Sequence, residues 1–290
     1  MTLLDFVNFH LAPGLVLGAI YALGAIGVTL VFGVMRFAHL AHGDLATLGA
    51  FLALAVVWGT GLSPWAALPV AMIGAAAVAI GADRLFYAHL RRRPLILTVI
   101  ASLGVALMLR SLVQIFFGVD PIVYVRGLVR PDDYWGVRLR DREILTLAVA
   151  LGLVAALMLF LTFTRWGKAM RAMSDNPDLA RLSGVDTRVV TALTWGIVGA
   201  LAAAAGFFLG INTELRSMMG WSVLLPVFAA AILGGVGRVE GALVGGLVVG
   251  VLEECAVLVL PPQYKSGVAF AILLLMLAVR PTGLFRGKVL

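Results

Sequence analysis

Charge is scarce in this chain: 13% of its 290 residues are Asp, Glu, Lys or Arg, where an ordinary soluble domain has roughly a quarter. With 62% hydrophobic residues and a mean hydropathy of +1.05, a single water-soluble core is excluded. Cysteine is almost missing. The lone Cys255 lies in an apolar stretch, so no intrachain disulfide can form and no cysteine zinc site can be assembled. The motifs of nucleotide and hydrolytic chemistry are also missing. Lys168 and Lys288 each follow a glycine, but Ala169 and Val289 come next, so there is no Gly-x-x-x-x-Gly-Lys-Ser/Thr phosphate loop. Neither His-Glu-x-x-His nor Gly-x-Ser-x-Gly occurs. The chain is expected to carry no catalytic set and to bind no cofactor or metal of its own. A basic stripe is missing too: the net charge of +7 is split into short clusters between apolar runs, which speaks against nucleic acid as a partner. Met1 to Leu11 lacks the basic start of a secretory signal, and the stretch is expected to lead into a first membrane span.

What is present is a succession of apolar runs. Nine can be marked: Leu11 to Met35, Leu40 to Trp58, Trp65 to Tyr87, Leu95 to Phe117, Ile144 to Phe163, Val189 to Ile211, Trp221 to Val236, Ala242 to Leu260 and Gly267 to Val279. A bilayer core of about 30 Å takes roughly 20 residues per helix, so the short seventh and ninth runs read as full spans or as half-helices. The expectation is an all-α polytopic membrane protein, one permease-like domain over residues 1–290, with eight or nine segments, some broken or re-entrant. Three basic clusters fall on one side when the segments alternate. They are Arg91, Arg92 and Arg93; Arg165, Lys168, Arg171, Arg181 and Arg188; and Arg280, Arg286 and Lys288. That side is assigned to the cytoplasm. The loop 118–142 is then periplasmic, although it holds Arg126, Arg130, Arg138, Arg140 and Arg142 beside Asp120, Asp132, Asp133 and Asp141. Nine spans put the N-terminus outside and the C-terminus inside. No convincing internal repeat is found, although Gly33 to Gly43 and Gly234 to Gly241 form paired glycine-rich interruptions of the kind inverted-repeat transporters use.

The segment 164–186 has the grammar of two short helices. The first runs to about Ser174; Asp175 or Asn176 offers an N-cap, Pro177 fits the first helical position, and Asp178 suits the positive helix end. Gly184 is placed for a left-handed stop, and Asp186 can cap the next span. Arg165, Lys168 and Arg171 follow helical spacing, and Ala169, Met170, Met173, Leu179 and Leu182 give the pair something to pack. It reads as a docking element for a soluble partner, or else as an amphipathic loop lying on lipid headgroups.

Polar residues inside apolar runs are costly and are treated as functional candidates. His39, His42 and Asp44, beside Gly43, are expected at the cytoplasmic end of the first two spans. Three ligands without a fourth, on a glycine-interrupted segment, fit a hydrogen-bonded helix break better than a metal site. A pathway or gate role is preferred there, with a structural role as the alternative. Glu253 and Glu254 are expected at a depth comparable to Arg110, and a buried pair between Arg110 and one of them is proposed, with a contact to a passing zwitterion as the alternative. Asp83, Arg84 and His89 are read as snorkelling or pairing locally. Gly241 to Gly245 and Gly246 to Gly250 supply the small-x-x-x-small spacing of close helix approach.

Three blocks together resemble the LivH-type permeases of high-affinity branched-chain amino acid ABC transporters. They are Gly18 to Gly33 followed by Phe37 to Asp44, the segment 164–186, and Leu233 to Gly246; the tail Val279 to Phe285 agrees as well. The resemblance covers nearly the whole chain. It implies a bacterial inner-membrane subunit that pairs with a second permease, LivM-type or a second copy. It also implies two cytoplasmic ATPases that hold ATP and Mg, and a periplasmic amino-acid-binding protein. By the same resemblance the segment matching Gly167 to Gly184 is the ATPase-coupling element, which singles out Gly167, Lys168, Arg171, Asp175, Pro177, Ala180 and Gly184. His39 stands where many relatives carry Asn or a small apolar residue, and Arg238 where serine is common; both departures bear on substrate more than on role. Branched-chain amino acids are the default substrates, with urea, amides and aromatic carboxylates as alternatives. An ion-coupled carrier using Glu253, Glu254, His39 or Asp44 is the rival from another class.

Overall fold

The computed structural model describes residues 2–91, 93–125, 127, 130–134 and 136–287; Met1 and three members of the charge pattern, Arg92, Arg126 and Lys288, lie outside the described residues. Each apolar run is a helix. Helix α1 spans Leu3–Met35 with one π turn at Val7–Leu11, α2 spans His42–Thr60, α3 Pro64–Leu90 with a π turn at Asp83–Tyr87, and α4 Leu95–Phe117. A small hairpin, β1 (Asp132–Tyr134) and β2 (Val137–Leu139), precedes α5, Asp141–Phe163. The helical pair is α6 (Arg165–Asp175) and α7 (Pro177–Leu182), followed by α8 (Thr187–Asn212), α9 (Met219–Gly234), α10 (Val239–Ala256) and α11 (Lys265–Val279). Among the described residues seven helices are long and apolar enough to cross a bilayer, α11 being one of them when counted with the 3-10 turn Pro262–Tyr264 that leads into it. Helix α9, with 16 residues, is too short, and α10 carries Glu240, Glu253 and Glu254.

The molecule has two distinct ends. At one, the Asn8 amide donates to the Gly136 carbonyl (3.0 Å) and its oxygen accepts from the Arg138 N–H (2.8 Å), which seats the hairpin on the start of α1. At the other, α1 stops as Arg36 adopts a left-handed conformation (φ 63°) and its guanidinium donates to the carbonyls of Ser174 and Asp175 on α6. From Gly18 to Val31, α1 is buried on every side. A helix that is apolar all round belongs at the centre of a bundle. By contrast, Ile115 and Phe116 on α4, Phe163 on α5 and Leu275 on α11 are largely exposed, as lipid or a partner surface requires.

In a membrane the hydrophobic effect does not press helices together, so close backbone contact must do so. Gly246 and Gly250 of α10 lie on the backbone of Ala22 and Gly18 in α1; Gly245 lies on Ala230 of α9, and Gly241 on Gly234. A Cβ at any of these positions would overlap main-chain atoms. The same device joins α8 to its neighbours, Gly199 meeting Ala75 of α3 and Gly206 meeting Ala46 of α2. The expected role of the Gly241 to Gly250 spacings is therefore borne out.

The break between α1 and α2 sits deeper than its sequence position implies. His42 packs into the notch left by Gly27, eight residues before the end of α1, which is about 12 Å inward at 1.5 Å per residue. The Leu40 N–H donates to Ser102 Oγ (3.1 Å), well inside α4. Phe37 to Asp44 is thus re-entrant rather than terminal. The extended chain can fold back because side chains of α3, α4 and α8 supply its polar and aromatic partners. The glycine pairing is also revised. The interruption that meets Gly43 is at Gly220, in the first turn of α9, whereas Gly234 to Gly241 is a tight turn with Gly235 and Gly237 at φ 104° and 91°.

Gly246→Val is expected to force α1 and α10 apart, costing about 1–3 kcal/mol as overpacking does and lowering the melting temperature of the purified chain. Gly152→Ala, where an added Cβ meets nothing within 4 Å, serves as the control and should melt like the wild type.

Candidate functional site

Two places gather the polar side chains singled out by the sequence. The first lies at mid-depth, where α2 and α9 both begin. Gly43 and Gly220 stand backbone to backbone, and a side chain on either would strike the other's carbonyl. Thr47 closes the junction: its hydroxyl donates to the Gly43 carbonyl (3.2 Å) and accepts from the Gly220 N–H (3.0 Å). Two helix N-termini, each with its positive dipole end, therefore meet away from either surface. Asp44 supplies the countercharge in the first turn of α2, and it is fully buried.

Asp44 in turn holds Arg110. The Arg110 Nε and a terminal nitrogen donate to the two carboxylate oxygens at 2.9 and 3.0 Å, a bidentate fork. The guanidinium also lies over the ring of Trp221, 5.0 Å from its centroid. One turn along α4, the Gln114 amide donates to Ser217 Oγ (3.2 Å). The Arg110 side chain keeps 13% of its surface exposed, and Trp221 is exposed beside it. A charge at that depth cannot face lipid, so this flank of α2, α4 and α9 faces water or protein.

Toward the helical-pair end, His39 is enclosed by aromatic rings. Its Nε2 lies 3.1 Å from the Tyr87 hydroxyl, and its ring sits 4.9 Å from Trp195 and 5.9 Å from Phe37, centroid to centroid. His42 is also buried, and its ring nitrogens have no hydrogen-bond partner of good geometry. It lines a small apolar cavity of about 20 Å³ shared by α1, α2, α8 and α9, with Gly24, Gly43, Gly206 and Gly220 in its walls. His39, His42 and Asp44 do not converge on one point, and among the described residues no group of three His, Cys, Asp or Glu could hold a metal ion.

The proposed pairing of Arg110 with Glu253 or Glu254 is wrong. Helix α10 packs chiefly on α1 and α9, whereas α4 packs on α2, so the two charges ride on helices from different parts of the bundle. Glu253 accepts a hydrogen bond from the Tyr21 hydroxyl (2.7 Å), and Glu254 pairs with Lys265 of α11 (2.6 Å). Helix α10 ends at Ala256 rather than Leu260, which brings Glu254 close to the turn and within reach of the following helix. Asp83 pairs locally with Arg91, as expected.

The second place is the α6–α7 pair, where the capping grammar was legible. Thr164 Oγ1 accepts from the Gly167 N–H, Asn176 Oδ1 accepts from the N–H groups of Asp178 and Leu179, and Asp186 Oδ1 from those of Arg188 and Val189. Pro177 opens α7 and Gly184 is left-handed, at φ 82°. Gly167 touches the Leu161 backbone, and Arg171 donates to the Leu161 carbonyl, so α6 folds tightly under the end of α5. Met170, Met173 and Ala180 are buried, while Lys168, Arg171 and Asp175 are exposed. Leu179 and Leu182 point away from the bundle, 60% and 85% exposed.

Comparison with known proteins decides the family. The profile of the permease component of the branched-chain amino acid transport system matches residues 11–277. The chain belongs to that family. It is 30% identical to the high-affinity branched-chain amino acid transport system permease protein LivH of Salmonella typhimurium, over 93% of this chain and 92% of that one. BraD of Pseudomonas aeruginosa, the permease protein of a high-affinity branched-chain amino acid transport system, is 30% identical over 95% and 94%. The ribose import permease protein RbsC of Escherichia coli is 26% identical over 89% and 81%. Among solved structures, PsaBC from Streptococcus pneumoniae in complex with Fab is similar in fold, with a TM-score of 0.52 at 13% identity, covering 96% of this chain and 95% of that one. The permease is thus a multi-pass transport subunit rather than a catalytic one, and the LivH-type resemblance holds.

Sequence reasoning missed Trp221, Ser217, Thr47, Tyr87 and Trp195. Gly220-Trp221 was the available signal: a glycine next to a tryptophan at the start of a run too short to span.

Removing one member of the mid-depth pair leaves a buried charge uncompensated. Asp44→Asn or Arg110→Leu is therefore expected to cost about 3–5 kcal/mol, read as lost thermal stability, with Asp44→Asn/Arg110→Leu recovering part of it. Strict additivity of the two losses would sink the pairing.

Proposed function

We propose that this permease is the membrane-spanning subunit of an ATP-driven ABC importer, moving branched-chain or related amino acids by alternating access. The observation that carries the proposal is the α6–α7 pair: rigidly capped, wedged under α5, and offering Leu179 and Leu182 to a partner. A loop that merely rejoined two spans would need neither. Two cytoplasmic ATP-binding subunits, holding ATP and Mg, seat on it through the surface formed by Lys168, Arg171, Asp175 and Leu182. A periplasmic substrate-binding protein docks at the hairpin end. A second permease, LivM-type or another copy, completes the pore beside lipid-facing helices. The similarity to LivH and BraD, whose systems transport branched-chain amino acids, supports the substrate class.

The helical-pair end faces the cytoplasm of a bacterial inner membrane, with the N-terminus periplasmic and the C-terminus cytoplasmic. Its support is the gathering there of Arg36, Arg91, Arg93 and Arg181 around one cavity with Met173 and Pro177. The mid-depth flank of Arg110, Gln114 and Trp221 forms part of the route. There His39, His42, Gly43 and Asp44 hold the gate in register. The rival ion-coupled carrier loses support because Asp44 and Glu254 are already ion-paired and Glu253 is held by Tyr21.

Gly184→Val forces a branched residue into the left-handed region, at about 1–2 kcal/mol. ATP hydrolysis stimulated by loaded binding protein in reconstituted transporter is expected to fall about tenfold; unchanged stimulation refutes a coupling role for this segment. Leu182→Glu should weaken co-purification of the ATPase subunits without changing the chain's melting temperature. Uptake by the permease alone, driven by a proton or sodium gradient in proteoliposomes, would overturn the ATP-driven reading.

A further inference from the structure

Beside the α6–α7 pair lies a cavity of about 420 Å³ that the proposed route does not use. Its floor is buried and mostly apolar, formed by Leu30, Val34, Met170 and Val239 with Thr29 among them. The Thr29 hydroxyl is 1% exposed as a residue and has no hydrogen-bond partner, a polar atom left waiting at the base of a cavity. Beside Arg171 and Asp175 of α6, the charged rim carries Arg238 and Glu240 at the start of α10, and Arg286 in the tail. Among the described residues the side chains of Arg238, Glu240 and Arg286 make no hydrogen bond or ion pair.

We propose that this cavity is a second binding site for an apolar α-amino acid. Arg238 and Arg286 would receive the α-carboxylate and Glu240 the α-ammonium, while the floor would take the aliphatic side chain. A simple anion would leave Glu240 facing it, and a lipid tail would leave the charged rim unused; a zwitterion with an apolar side chain satisfies both parts. The walls belong to different elements. Arg171 comes from α6, Thr29 and Gly33 from α1, and Arg238 from the turn before α10, so an occupant bridges the coupling helix to the centre of the bundle. The inference rests on the importer reading for which end faces the cytoplasm, and its consequence is that amino acid accumulated inside acts back on the coupling helix.

Binding of radiolabelled L-leucine to the purified full-length chain in nanodiscs, without ATPases or binding protein, tests it. Saturable binding is expected, weakened at least about tenfold by Arg238→Gln and by Glu240→Gln. Both residues are exposed, so both variants should melt like the wild type, and Arg130→Gln at the opposite end should bind normally. Absence of saturable binding, binding indifferent to both substitutions, or equal displacement by inorganic phosphate overturns the proposal. Failure here with intact ATP-driven uptake by the reconstituted transporter leaves the importer reading standing. Binding without any ATP-driven uptake would instead remove that reading and keep the site.

Discussion

The contact between Gly43 and Gly220 is the constraint on which much of the remaining architecture depends. Two helices that start inside an apolar slab expose N–H groups that no water can satisfy at low cost. The permease meets that cost by setting the two starts against each other, with Thr47 serving both backbones and Asp44 balancing the two dipoles. Asp44 alone would be an uncompensated charge, so Arg110 must come to it from α4. Arg110 then needs a flank that is not lipid. One backbone decision, to begin helices at mid-depth, thereby dictates a threonine, an acid, a base and a protected surface.

Glycine does the complementary work along the rest of the bundle. Helix α1 is held against α10 by contacts in which main chain touches main chain, at Gly18, Gly246 and Gly250. Such seams lack interlocking side chains that must disengage before one helix slides on another. They are tight against insertion of a methyl group and permissive of small shifts along the axis. That combination suits a transporter that must stay assembled while its halves rearrange.

The fold was legible where the signal was local. Nine apolar runs gave nine helices, and Asn176, Pro177, Gly184 and Asp186 announced the helical pair because caps and stops act on their immediate neighbours. Depth was not legible. His39 to Asp44 follow a full-length span, and nothing in their order says that the chain turns back inward before α2 begins. Pairing across the bundle was equally hidden: Arg110, Glu253 and Glu254 looked alike in depth, yet helix neighbours are chosen by glycine seams scattered through the chain, and Asp44 was assigned to the membrane edge. The family resemblance supplied the role, but it does not say which charge meets which.

These pieces define how short the mechanical path is between the α6–α7 pair and the junction of α2 and α9. Arg36 at the end of α1 is tied to the carbonyls of Ser174 and Asp175 on α6. Six residues later His42 fills the notch at Gly27, and Gly43 abuts Gly220. The intervening segment is braced by His39 against Tyr87 and Trp195, so it is poorly placed to absorb a displacement by coiling up. In the proposed mechanism a push on α6 therefore acts through Arg36 on the re-entrant segment and arrives at the junction of α2 and α9. The polar groups that look like a binding site by residue type are better understood as the bearing of a lever. In that mechanism the substrate passes beside them, along the flank where Arg110 and Trp221 remain exposed.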